Sequence, residues 1–195
     1  MKKKAIIFDC FGVIISNVMG NWFIDHIGRT LKDKEEFSRL ASLQDTGQAS
    51  EWDINIELAK QAHSTPEIVE KEIESYFKVN EELVVYIKEL KERGYKLAIL
   101  TNASHDFFDR KVYVQCPWFK EVFDCVVISS LIKMVKPNPD IYEHALQKLG
   151  VKASEAVFTD DGKKNVLGGQ NAGIDSILFT DIETFKKDLE NILQN

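Results

Sequence analysis

Ala5-Ile6-Ile7-Phe8-Asp9-Cys10-Phe11-Gly12-Val13-Ile14-Ile15 is an apolar stretch interrupted by one acid and one glycine. Its first four residues are apolar without alternation, the pattern of a strand buried on both faces in a parallel sheet. Asp9 then stands where the strand runs out. Similar runs recur at Lys96 to Thr101, Cys125 to Ser129, Ala156 to Asp160 and Ser176 to Phe179.

Helical patterns separate these runs. Asn80 is placed to cap a helix whose apolar positions Leu83, Val84, Ile87 and Leu90 share one face, and Gly94 closes it. Asn138 and Pro139 suit the cap and first turn of a second helix, with Ile141, Tyr142, Ala145, Leu146 and Leu149 as its stripe and Gly150 after it. A third runs from Lys163 to Ala172 and is stopped by Gly173. Strand-helix alternation from residue 80 onward predicts an α/β fold, a Rossmann-like doubly wound parallel sheet. Right-handed crossovers bring the loops after the strands to one sheet edge, where such folds bind ligands.

Residues 16–79 break this rhythm, with helical patterns and no strand. Ser50 with Asp53 three positions later reads as a capping box, and Thr65-Pro66 as a helix start. The expected organisation is therefore a core of residues 1–15 and 80–195, with 16–79 as a small helical cap inserted after the first strand. Trp22, Phe23 and Trp52 are read as the cap's own small core.

The chemistry-bearing residues sit at strand ends: Asp9 after the first, Thr101-Asn102 after the second, Lys136-Pro137 beyond the third, and Asp160-Asp161 after the fourth. A parallel sheet gathers them at one edge. Together they supply a carboxylate nucleophile, a hydroxyl, an ammonium and an acidic pair, the parts needed to attack a phosphate through a covalent intermediate. Two anions approach only if their charge is offset. Magnesium bridging Asp9 and the distal acids would do this, since it prefers hard oxygen ligands. Lys136 and the Thr101 hydroxyl would hold the remaining phosphate oxygens.

This set resembles the four motifs of the haloacid dehalogenase-like superfamily, in order and across nearly the whole chain. The apolar run with Asp9 matches the first motif and Leu100-Thr101-Asn102 the second. Lys136-Pro137-Asn138-Pro139-Asp140-Ile141-Tyr142 matches the third, and Phe158-Thr159-Asp160-Asp161 the fourth, followed by Asn165 and Gly173. The resemblance implies a C1-type helical cap and a hydrolase with Asp9 as nucleophile. Thr101, with Asn102 beside it, would bind substrate, and Lys136 would steady Asp9 and the phosphoryl group. Asp9, the Phe11 carbonyl, Asp160 and Asp161 would hold magnesium, with Asp161 the principal ligand. The style is similar to the branch of glucose-1-phosphatases and the phosphatase domain of soluble epoxide hydrolase. The expected substrate is a small phosphorylated metabolite.

Phe11 departs from the family pattern. Most of its phosphatases carry an Asp two positions after the nucleophile, which protonates the leaving group. A positioned acid is worth about 10²–10⁴ in rate. Its absence keeps two alternatives in view: a metal-independent 2-haloacid dehalogenase, whose departing halide needs no proton, and a degenerate member that binds a phosphometabolite without turnover. Asp160 and Asp161 favour the metal-dependent phosphatase, because dehalogenases tend to carry serines there.

Composition narrows the rest. With 44% hydrophobic and 29% charged residues, the 195-residue chain is globular in character, and a chain of this size buries roughly 70% of its unfolded surface. The net charge of −6 lacks the basic field of a nucleic-acid or anionic-membrane binder. Cys10, Cys116 and Cys125 form no metal-ligand spacing, and a reducing cytoplasm fits them. Asp9 interrupts the only signal-like apolar run, and no span approaches ~20 apolar residues. Cys10 is expected in the core, His105 on a surface helix, and His26, His63 and His144 within helical segments.

Overall fold

The computed structural model describes residues 2–194; Met1 and Asn195, the outermost residues of the expected core, lie outside the described residues. Five strands form one parallel sheet: β1 Ala5–Phe8, β2 Lys96–Thr101, β3 Cys125–Ile128, β4 Ala156–Asp160 and β5 Asp175–Leu178. Their order is β3-β2-β1-β4-β5. The chain thus winds outward from β1 on one side and returns to wind outward on the other, leaving a crevice beyond β1 and β4 where ligands bind in such sheets.

Period-two alternation divides the strands between two cores. Ile6 and Phe8 of β1, with Leu97 and Ile99 of β2, face the larger apolar cluster. Ala5, Ile7, Ala98 and Leu100 face the smaller one, closed by the helix Pro139–Leu149. Both faces are dry, which is why these strands read as unbroken apolar runs.

β2 and β4 have the expected bounds, whereas β3 ends one residue early and β5 is shifted back by one. Asn138 occupies the cap position before Pro139 but makes no side-chain cap bond. Lys136 does not follow β3 directly, because a helical turn, Ser129–Ile132, intervenes. The helix Lys163–Asn171, one residue shorter than expected, the short helical pieces between His105 and Val122, and the helix Ile182–Gln194 complete the core.

Four helices fill the break between β1 and the helix Glu81–Glu92: α1 Val18–His26, α2 Leu31–Asp45, α3 Glu51–Ala62 and α4 Pro66–Ser75. Both Ser50/Asp53 and Thr30/Asp33 form full capping boxes, and Thr65 caps α4 ahead of Pro66. The entry and exit strands of this insertion touch through an antiparallel bridge between Ile15 and Val79. Inside it, Phe23 stacks on Phe37 at 4.1 Å, and buried Trp22 stacks on His26 while donating to Glu72. Trp52 does not join them. It is 43% exposed, because α3 buries the face of Ile54, Asn55, Leu58 and Ala59, and Trp52 lies off that stripe. His63 ends α3 in the left-handed conformation instead of continuing it.

Beyond the apolar cluster they share, ion pairs and a close backbone approach tie the insertion to the core. Arg110, from the π-helical turn Phe108–Val112, pairs with Glu51, Glu70 and Glu74, and Lys111 with Glu74 at 2.8 Å. Gly47, just past α2, has φ +67°, and a Cβ there would lie 2.7 Å from the Ser130 carbonyl oxygen. The turn after α2 therefore rests directly on the core, an approach only glycine permits.

Candidate active site

Adjacent strand ends build the site. Asp9 follows β1, and its N–H donates to the Thr159 carbonyl at 2.9 Å, which sets it next to Asp160 at the end of β4. Lys136 enters from the loop before Pro139–Leu149. Its ammonium lies 2.8 Å from Asp9 Oδ1 and 2.6 Å from Asp160 Oδ2, with the side chain 1% exposed. Asn165 Nδ2 donates to both Asp160 oxygens, at 3.0 and 3.2 Å, and the Gly162 N–H donates to Oδ1 at 2.8 Å. Asp160 is thereby fixed as the organiser of the site.

Asp161 is the exposed acid of the trio, packed against the loop after β1. Gly12 makes room for it: with φ +94°, a Cβ there would fall 2.2 Å from Asp161 Oδ2. One oxygen from each of Asp9, Asp160 and Asp161 lies within 4.8 Å of the others. Three clustered carboxylates are the donor chemistry of a hard divalent cation, so these residues fit magnesium.

Burial pushes Asp9 above the ordinary carboxylate range; Lys136 pulls against this while Asp160 and Asp161 add to it. Burial alone would depress Lys136, but the carboxylates of Asp9 and Asp160 raise it above its ordinary value. Desolvation, then the Asp160 charge, also raises Asp161. The ammonium therefore stays charged between acids that would otherwise repel.

Thr101 Oγ1 is fully buried at the end of β2 and has no hydrogen-bond partner among the described residues. Asn102 is committed differently from Thr101. Its Nδ2 donates to the Lys136 carbonyl at 3.0 Å, and its Oδ1 accepts from the Lys136 N–H at 2.9 Å. Its side chain holds the lysine loop and still forms part of the cavity wall.

That cavity, about 210 Å³, is lined by Asp9, Phe11, Asn17, Asp45, Asn102, Lys136 and Asn165 among others. A lobe of about 100 Å³ adjoins it, with Gln44, Glu51 and Asn55 on its wall. The Phe11 ring packs edge-on against Phe107 and Phe108, at 5.7 and 5.9 Å between centroids. Cys10 is buried, as the alternation indicates, and burial pushes its thiol well above the ordinary range. His105 lies outside both cavity walls, with its ring 3.1 Å from Asp106. Sequence reasoning missed Asn17, Gln44, Asp45 and Asn55. Asp45 precedes Thr46-Gly47 and reads as an ordinary helix end, and no local pattern says which insertion residues face the sheet.

A family model described as haloacid dehalogenase-like hydrolase matches residues 3–173. The chain belongs to that family. Among curated relatives, pyrophosphatase PpaX of Bacillus cereus (strain B4264) is 37% identical over 116 residues, 54% of this chain and 53% of the relative. This chain spans about half the length, or less, of the curated relatives it matches. Among solved structures, a HAD family enzyme from Bacteroides thetaiotaomicron superposes with a TM-score of 0.76 at 18% identity, covering 92% of this chain and 95% of that one. The wild-type form of that enzyme in complex with magnesium and inorganic phosphate gives 0.71 at 17% identity, covering 91% and 94%. A predicted HAD-like family hydrolase from Porphyromonas gingivalis gives 0.76 at 21% identity over the whole of both chains. The HAD-like hydrolase therefore has the expected family fold. Among the described residues, no helix is long and apolar enough to cross a membrane.

Proposed function

We propose that this hydrolase is a magnesium-dependent phosphatase that cleaves a small phosphomonoester through an aspartyl-phosphate on Asp9, with residues 16–79 serving as a cap over the site. The observation that carries this reading is the buried Lys136 ammonium held between Asp9 and Asp160, with Asp161 left as the exposed acid beside them. Magnesium, held by Asp9, Asp161, Asp160 and the Phe11 carbonyl, would offset the charge of the incoming phosphate. The magnesium and phosphate bound by the Bacteroides enzyme support the same choice.

Within the chain, the Asp9 carboxylate attacks phosphorus while Lys136 holds it in place and neutralises it. Thr101 offers a buried, unpartnered hydroxyl to a phosphate oxygen. Such a group costs about 1–3 kcal/mol when nothing satisfies it, so an acceptor there would be welcome. Asn102 positions Lys136 through its backbone and also borders the substrate space. Asp160 and Asp161 disfavour the dehalogenase alternative, since a departing halide gains nothing from a cluster of carboxylates.

Release of inorganic phosphate from p-nitrophenyl phosphate tests the reading. It should require magnesium, vanish in Asp9→Asn and fall at least tenfold in Asp161→Asn. Full activity in excess EDTA would remove the metal from the proposal. Chloride release from 2-chloropropionate without metal would replace phosphatase by dehalogenase.

A further inference from the structure

The phosphatase reading leaves one proton without a donor. When Asp9 attacks phosphorus and the bond to the leaving oxygen breaks, an alkoxide must be protonated, and Phe11 stands where the family usually supplies an acid. The ring of Phe11 is turned into a cluster with Phe107 and Phe108 and has no proton to give. The donor has to come from another wall of the cavity.

We propose that Asp45, at the C-terminal end of α2, is the acid that protonates the leaving group; this rests on the phosphatase reading of the site. Asp45 lines both the cavity that contains Asp9 and Lys136 and the lobe beyond it. It belongs to the insertion and stands on the wall shared by the cavity and its lobe, the space open to the part of the substrate beyond phosphorus. Its position is fixed, because Gly47 seats the turn after α2 against the Ser130 carbonyl.

The other acids on the walls of the cavity and lobe are committed. Asp9 is bound by Lys136, and Glu51 is tied to Arg110 at 2.7 Å. The Asp45 carboxylate has no hydrogen-bond partner among the described residues, and Lys136 acts on it through its charge. Burial pushes Asp45 up to about 6, close to the working range of a general acid. Beside it, Asn55 is 2% exposed with Nδ2 unpartnered among the described residues, on the wall of the same lobe. A polar leaving group there would satisfy both side chains.

The proton balance closes. Asp9 oxygen forms a bond to phosphorus, the phosphorus–oxygen ester bond breaks, and Asp45 gives its proton to the departing oxygen to release an alcohol. The Asp45 carboxylate then takes a proton from the water that attacks the aspartyl-phosphate. Inorganic phosphate leaves, Asp9 is regenerated and Asp45 is protonated again.

The experiment compares kcat/KM for p-nitrophenyl phosphate and for glycerol 2-phosphate in wild type and Asp45→Asn. With a covalent intermediate, this ratio reports the step in which the leaving group departs. Asp45→Asn should lower the alkyl value at least thirtyfold further than the nitrophenyl value, because acid catalysis helps poor leaving groups most. Adding Phe11→Asp to that variant should recover part of the alkyl activity alone. Asp45→Ser serves as a second variant, with thermal melts to confirm that both fold. An equal fall for both substrates, or none, would overturn the role of Asp45 and leave the phosphatase standing. No phosphate release by wild type, or release that survives Asp9→Asn, would defeat the phosphatase reading itself.

Discussion

Asn102 holds both backbone groups of Lys136, donating to its carbonyl at 3.0 Å and accepting from its N–H at 2.9 Å. This links the end of β2 to the loop that delivers the ammonium between Asp9 and Asp160. Asn102→Ala should lower kcat about 10²-fold, as expected for misplacing a charged group by about 1 Å, with a smaller effect on KM. Steady-state kinetics on p-nitrophenyl phosphate would check this, and a change confined to KM would give Asn102 a binding role only.

Lys136→Ala should abolish turnover and also weaken the fold. Removing the ammonium leaves Asp9 and Asp160 buried side by side with no cation, and breaking a buried pair in this way costs about 3–5 kcal/mol. Circular dichroism should still register a folded protein at 25 °C, with a clearly lowered Tm. An unchanged Tm would mean that the two acids do not need the lysine.

Asp45 makes stability depend on pH in a direction opposite to that of most carboxylates. Its folded value of about 6 exceeds the ~3.9 of an unfolded chain. The native state therefore binds the extra proton between those values, and its contribution is present below pH ~4 and lost as pH rises through about 6. The charged groups sharing its cavity and lobe are Lys136, Asp9 and Glu51. Asp45→Asn should raise stability on the order of 2 kcal/mol at pH 7.5, with the gain vanishing below pH ~4. Thermal melts of both proteins across that range would measure it, and a gain independent of pH would contradict the burial of this carboxylate.

Arg110 joins the insertion to the core through three carboxylates of α3 and α4. These groups are only partly buried, so Arg110→Ala should cost about 1 kcal/mol and lower Tm by ~2–4 °C. Raising the salt concentration should shrink the difference, since screening already weakens such pairs. A salt-independent loss would point to packing by the arginine stem instead.

The strands, their parallel pairing and the polar residues Asp9, Thr101, Asp160 and Asp161 at strand ends were legible because each leaves a local mark, whereas Lys136 stands beyond the turn Ser129–Ile132. A strand buried on both faces has to be apolar throughout, and a polar residue at its end then stands out as the first break. The capping box at Ser50 and the Thr65 cap ahead of Pro66 were equally local, because the bonds they predict span three residues. Trp52 was misjudged for a related reason: helical periodicity fixes which residues share a face, yet only packing decides which face is buried.

The sequence by itself thus determined the sheet, the edge where its polar strand ends meet and the identity of the acids gathered there. Tertiary structure alone decided what surrounds them: Asn102 gripping Lys136 across 34 positions, Gly47 resting on Ser130, and Asp45 of α2 facing the cavity of Asp9. These are contacts between segments far apart in the chain, set by how the loops at the strand ends meet and how α1 to α4 settle on them. No spacing rule encodes that docking, because it depends on the shapes of the surfaces that meet, within one shared apolar cluster, and on the charges between them.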